Sequence, residues 1–156
     1  NKDLGDAAIR QDFPGGWAAD RHPAFCSNDD AKCHAYQTGR TPEEEAYFQF
    51  SKALLNWRKG QKVIHEGKLL QFVPQNNMYV YFRYLEPVKE LGQAAEVIMV
   101  VINNSTKEQT LSWSRFAEGF MGYDKGKDVL NNQTFDFEQA TGQIPAKTAY
   151  IIKLTH

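Results

Sequence analysis

The chain has 156 residues, room for one domain or for one domain with an appendage. Hydrophobic residues make up 42% and aromatics 13%, enough for a packed core, and a formal net charge of −1 excludes the basic face that nucleic-acid binding needs. The longest uninterrupted aliphatic run, Val97 to Ile102, is too short to span a bilayer, so neither nucleic acid nor a membrane is an expected partner.

Residues 1–40 carry little periodicity, and Gly5, Pro14, Gly15, Gly16, Pro23 and Gly39 punctuate them. A structureless stretch of this length is expected where a loop is functional or where its packing partner lies elsewhere. Asn1 stands where a start methionine would, which we read as the removal of residues upstream. No charged and apolar signal region opens the chain. Arg10-Gln11-Asp12-Phe13-Pro14-Gly15-Gly16-Trp17 joins opposite charges, two rings and a Pro-Gly-Gly turn in one short loop. Such a loop suits a sugar: aromatic faces stack on the apolar side of a hexose, and Arg and Asp meet its hydroxyls. Arg10, Asp12, Phe13 and Trp17 are therefore the candidate substrate-binding residues, with Trp17 foremost. The competing reading is an Arg10–Asp12 pair that shapes the loop while Phe13 and Trp17 pack against neighbouring parts of a larger protein.

Cys26 and Cys33 lie close together in a polar loop, as a local disulfide in an oxidising compartment or as two free thiols. With His22 and His34 they match no spacing of structural zinc sites. Asn28-Asp29-Asp30 lacks the alternating oxygens and glycine of a calcium loop. No metal and no cofactor are expected. Asp3, Asp6, Asp12 and Asp20 sit in a Gly-rich loop, not on the rigid scaffold that a catalytic pair of carboxylates needs. The chain by itself is expected to be non-catalytic.

Thr41-Pro42-Glu43-Glu44 starts a helix over about 41–60. Thr41 caps it, Pro42 takes the first helical position and Glu44 completes a capping box. Tyr47, Phe50, Leu54 and Trp57 recur at helical spacing, widened by Phe48 and Leu55; Arg58 and Lys59 fill the last turn before Gly60. This apolar stripe calls for a partner.

From Gln61 the period changes to two. Leu69–Val73, Met78–Tyr84, Glu96–Asn103, Gln109–Trp113, Thr134–Phe137 and Thr148–Leu154 are predicted strands. Pro74-Gln75-Asn76-Asn77, Asn103-Asn104-Ser105, Asn131-Asn132 and Thr141-Gly142 are read as the turns between them. Short strands at this spacing predict a mainly β fold, an antiparallel Greek-key β-sandwich. Alternation puts Met78, Val80, Phe82 and Tyr84 on one face and Tyr79, Tyr81 and Arg83 on the other. Val97–Ile102 is apolar on both faces and is predicted to be a central strand covered on both sides. Tyr79 and Tyr81 would form either a carbohydrate platform, making a free-standing binding module, or the cover of a domain interface, which suits tyrosine better. His65 and His156 are read as surface or partly packed residues. No Ser-His-Asp order, phosphate loop or nucleotide fingerprint appears.

Three groups of residues carry a resemblance. They are Ile9-Arg10-Gln11-Asp12-Phe13-Pro14-Gly15-Gly16-Trp17 with Ala24-Phe25, Leu54-Leu55-Asn56-Trp57-Arg58-Lys59, and Val80-Tyr81-Phe82-Arg83-Tyr84 with Ile144-Pro145-Ala146-Lys147. Together they resemble the C-terminal third of cyclomaltodextrinase and neopullulanase-like enzymes of the α-amylase family of glycoside hydrolases, in the form found in Bacteroidetes-type starch utilisation. Cys26 to Gly39 and Glu86 to Ala95 depart from that pattern. The resemblance implies that residues 1–60 end a (β/α)8 barrel, as the loop after its eighth strand followed by its eighth helix. Residues 61–156 would be the α-amylase-type C-terminal β-sandwich. The catalytic carboxylates would precede Asn1, in a barrel that is this chain's missing partner. The implied reaction is retaining hydrolysis of α-1,4-glucosidic bonds in cyclodextrins or maltodextrins. The implied location is periplasmic, which suits a Cys26–Cys33 disulfide.

Overall fold

A computed structural model describes residues 39–156. Arg10, Asp12, Phe13 and Trp17, with Cys26 and Cys33, lie outside the described residues. The chain divides into two compact units, Asn1–Asn56 and Trp57–His156, and each is taken by itself.

Helix α1 runs from Pro42 to Lys59. The capping box forms as read: the Glu44 amide donates to Thr41 Oγ1 (3.2 Å) and the Thr41 amide to Glu44 Oε2 (2.8 Å). Glu43, Glu44 and Glu45 occupy the first turn and Arg58 and Lys59 the last, each complementing the helix dipole. Arg40 pairs with Glu45 at 2.5 Å and lies 4.2 Å over the Phe48 ring. Bonds from Gln49 and Arg40 hold the Glu45 carboxyl below its ordinary pKa. Of the apolar stripe, Tyr47 is 75% exposed and Leu55 61%.

The second unit is the antiparallel sandwich. Its large sheet has six strands, in the order β1 (Lys68–Gln71), β2 (Met78–Leu85), β3 (Glu96–Asn103), β8 (Thr148–Thr155), β5 (Lys125–Asp128), β6 (Thr134–Asp136). The last strand of the chain thus returns between β3 and β5, a Greek-key type of crossover. Facing this sheet are a two-stranded ribbon, β4 (Gln109–Ser112) with β7 (Thr141–Ile144), and the helical segment Trp113–Phe120, which ends in the short helix α3 (Ala117–Phe120). Between the layers lie Val80, Phe82, Met99, Val101, Ile152 and Leu154 from the large sheet. Leu111, Ile144, Trp113, Phe116 and Phe120 meet them from the other layer. The core is strongly aromatic, with Trp113 edge-on to Phe137 (5.1 Å) and Phe120 stacked on Phe137 (4.5 Å).

All six predicted strands form, within two residues of their expected ends. The Asn76-Asn77 turn is a two-residue hairpin in which both asparagines take positive φ (52° and 60°), between Gln75 and Met78. Two readings are corrected, and one strand was not expected. Thr141-Gly142 is not a turn but part of β7: a Cβ on Gly142 would lie 2.0 Å from the Trp113 ring, so glycine here marks the close approach of an aromatic, not a bend. Lys125-Gly126-Lys127-Asp128 is a strand without an apolar residue. Its inward positions are Gly126, which leaves room for Ile152 and Phe137, and the buried Asp128. The period of two does not start at Gln61, because Lys62–Glu66 forms a helical turn, α2, that buries Val63 completely.

Two buried polar side chains fasten the strand connections. Asp128 accepts from the amides of Asn131 (2.7 Å) and Ile151 (2.9 Å). Asn103 Nδ2 donates to the carbonyls of Ile144 (3.0 Å) and Pro145 (2.8 Å), and its Oδ1 accepts from the Ser105 amide. Lys147, in the left-handed region at φ 51°, donates through Nζ to Asn104 O at 2.7 Å. Asn103-Asn104-Ser105 and Ile144-Pro145-Ala146-Lys147 are thus two halves of one corner.

Candidate functional site

β3 is apolar on both faces, and both are used. Met99 and Val101 enter the core between the layers, whereas Ile98 and Val100 join Val63 of α2 in a second cluster on the outer side of the large sheet. Trp57, Ile64, Leu85 and Ile151 close around it. The sequence-predicted alternation on β2 holds: Met78, Val80 and Phe82 are buried inward, and Tyr79, Tyr81 and Arg83 lie on the outer face. This outer face is the candidate site within the described residues.

Its geometry follows from the register. Leu69 and Gln71 of β1 stand opposite Arg83 and Tyr81, on the same face. Tyr79 donates its hydroxyl to Gln71 Oε1 (2.9 Å). Arg83 Nη2 donates to the Ile64 carbonyl (2.9 Å), tying α2 to the sheet. Ion pairs flank the face, Lys68 with Glu86 at 2.6 Å and Lys153 with Glu96 at 3.7 Å. The Glu86 carboxylate raises the pKa of Lys68. Partial burial raises that of Tyr81, with the neighbouring Tyr79 adding to the effect and Arg83 opposing it.

Tyr79 and Tyr81 are half-buried, with ring centroids 5.4 Å apart and planes inclined by 36°. The rings are inclined to one another and do not share a plane. Around them Ile102 is half-buried, while Leu69 is 52% and Val73 77% exposed. The face thus combines apolar surface with a tyrosine hydroxyl bonded to Gln71 and with ion pairs at its rim. Nothing on it pairs a nucleophile with a base. Among the described residues no three His, Cys, Asp or Glu side chains come together as metal ligands, and no helix is long and apolar enough to cross a membrane.

Alternation puts Arg83 on this face, but its bond to α2, and α2 itself, were not legible in the sequence. Arg83 acts through a backbone carbonyl nineteen residues away in the chain, and no local pattern reports such a bond. Of the histidines, His65 Nε2 lies 3.1 Å from the Arg58 carbonyl and His156 packs its ring on Tyr123 at 4.6 Å, both exposed.

Residues 69–153 match the family model described as the cyclo-malto-dextrinase C-terminal domain. The chain belongs to this family. The matched segment runs from β1 into β8, so the cyclo-malto-dextrinase C-terminal domain is the sandwich itself. Two solved structures share its fold. A crystal structure of an AmyP variant in complex with maltotriose superposes with a TM-score of 0.56 at 10% identity, over 76% of this chain and 23% of that one. The trehalose-6-phosphate hydrolase TreA of Bacillus licheniformis superposes with a TM-score of 0.52 at 21% identity, over 70% of this chain and 18% of that one. The chain therefore spans about a quarter or less of the length of the proteins it superposes on.

Proposed function

We propose that this chain is the C-terminal part of a cyclomaltodextrinase-like enzyme that hydrolyses α-1,4-glucosidic bonds in cyclodextrins or maltodextrins, and that the part itself is non-catalytic. The observation that carries the reading is the family match over residues 69–153. The outer face of the large sheet supports it, because the half-buried Tyr79, Tyr81 and Ile102 offer a (β/α)8 barrel a ready seat. Residues 1–60 would end that barrel, and Arg10, Asp12, Phe13 and Trp17 would line a substrate subsite at the C-terminal mouth where such barrels carry their chemistry. The Bacteroidetes type and a periplasmic location belong to the same proposal, with Cys26 and Cys33 paired in that oxidising compartment.

The test is hydrolysis of β-cyclodextrin by the full-length protein and by the 156-residue chain. The expected outcome is turnover by the first and none by the second. Inactivity of the full-length protein on every α-glucan would overturn the substrate assignment, and turnover by the chain alone would overturn its non-catalytic role. Trp17→Ala in the full-length enzyme is expected to raise KM about tenfold, the loss of one stacking contact.

A further inference from the structure

The large sheet ends at β6 and the ribbon ends at β7, and these two edges border a groove of about 520 Å³. That volume is in the range of small-ligand sites. We infer that this groove is a second, non-catalytic binding site for a neutral oligosaccharide, an α-glucan chain, on the C-terminal domain. The choice of an α-glucan among neutral sugars rests on the function proposed above; the groove's suitability for a sugar does not.

Three features argue for a polyhydroxyl ligand. The walls carry side-chain amides and hydroxyls, from Gln133, Gln139, Gln143, Thr134 and Thr141. An amide offers a donor and an acceptor together, which is what a sugar hydroxyl needs. The only charges in the lining, Lys125 and Asp136, are cross-strand partners of opposite sign, so the groove has no net charge to select an anion or a cation. Trp113 and Phe135, both almost wholly buried, underlie it and make its floor apolar.

The backbone adds to this. Gln133 O and Phe137 N bond toward β5, and Ala140 O bonds toward Trp113 N at the end of β4. Because antiparallel ladders alternate, the peptide groups of Thr134 and Asp136 on one edge, and of Thr141 and Gln143 on the other, turn away from their ladders. Two polar side chains are already fixed. Gln143 Oε1 accepts from Thr110 (2.9 Å), leaving its Nε2 to donate, and Asp136 Oδ1 accepts from the Glu138 amide (3.0 Å), leaving Oδ2 to accept. A shallower depression of about 330 Å³ shares Trp113 and Gln139 with the groove and lengthens it toward Ser112 and Ser114. The bordering strands are only three and four residues long, which disfavours an added peptide strand.

The experiment titrates the 156-residue chain with maltoheptaose and follows backbone amides by NMR, with cellohexaose and an extended polar heptapeptide as controls. We expect saturable shifts concentrated on 133–143, and a tenfold or greater loss of affinity in the Asp136→Ala/Gln143→Ala double variant, whose substitutions are at the surface. Thr141→Arg, which fills the groove, should abolish binding. Absence of shifts at 20 mM maltoheptaose (about 20 mM being the weak limit of a useful site), shifts centred on Tyr79 and Tyr81, or full affinity in both variants would overturn the site. Shifts with cellohexaose alone would overturn the α-glucan assignment and keep the groove, and shifts with the peptide alone would overturn the sugar. Cyclodextrin hydrolysis by the full-length enzyme is scored separately, so an active enzyme whose groove variants bind normally fails this inference and not the function.

Discussion

On β3, Met99 and Val101 point into a core closed by Trp113, Phe116 and Ile144, while Val100 and Ile102 point the other way. The outward face is covered by α2 around Ile98 and Val100, and it is half-exposed around Tyr79, Tyr81 and Ile102. The same strands therefore make one interior that their own domain completes and one surface that it finishes only in part. The difference teaches where stability resides and where a partner is to be sought. The inner core holds the sandwich together by aromatic burial, and the outer face leaves apolar area partly exposed.

Changes to the inner side should have the largest effect. Trp113 is 3% exposed and touches Phe135 and Phe137, so Trp113→Ala should cost about 3–5 kcal/mol in urea unfolding. A loss below about 1 kcal/mol would mean that the ribbon is not part of the cooperative core. Next comes the corner between the layers. Asn103→Ala strips the Ile144 and Pro145 carbonyls of their donor and should cost about 1–3 kcal/mol, seen as a lower urea midpoint with an unchanged slope. If the midpoint does not move, water replaces the amide there.

The helix offers a local contrast. Thr41→Ala removes the acceptor for the Glu44 amide and should cost about 1 kcal/mol of helix stability, read as faster hydrogen exchange at the Glu44 amide. Unchanged exchange would show the cap to be dispensable.

The smallest effect is expected on the outer face. Partial burial raises the Tyr81 pKa above its ordinary value of 10.0, so the folded chain holds this proton more tightly than the unfolded one. Its contribution is fully present below the unfolded pKa and is lost as pH rises through the folded pKa. Tyr81→Phe should therefore flatten the fall of stability above about pH 10 and leave neutral pH almost untouched. A wild-type alkaline limb that persists in the variant would assign that limb to other groups.

Much of the fold was legible because it is written locally. Thr41, Pro42 and Glu44 announce the start of α1, and the alternation in Met78–Tyr84 assigns its residues to faces correctly. Asn76 and Asn77 take the positive φ that a two-residue hairpin requires. What failed was a signal carried by neighbours distant in sequence. Gly142 reads as a turn until Trp113 is seen lying against it, and Lys125–Asp128, with no apolar residue, gives no strand signal until Ile152 and Phe137 are seen filling the space over Gly126. The candidate loop residues Arg10, Asp12, Phe13 and Trp17 lie outside the described residues. The groove between β6 and β7 escaped notice because its amides are spread over separate turns and strands and converge only in three dimensions.

By itself, then, the sequence determined the elements that are stabilised within a few residues of themselves: a capped helix, hairpin turns, and strands whose period of two separates a wet from a dry face. It also carried the motifs by which the chain resembles α-amylase-family C-terminal domains. Only the tertiary structure decided which polar segments become strands, that Asn103 and Asp128 hold the corners, and that two sheet edges enclose a polar groove. The physical reason is range. Capping and alternation act between adjacent residues, whereas packing under a tryptophan or pairing at a sheet edge joins residues that the chain alone leaves far apart.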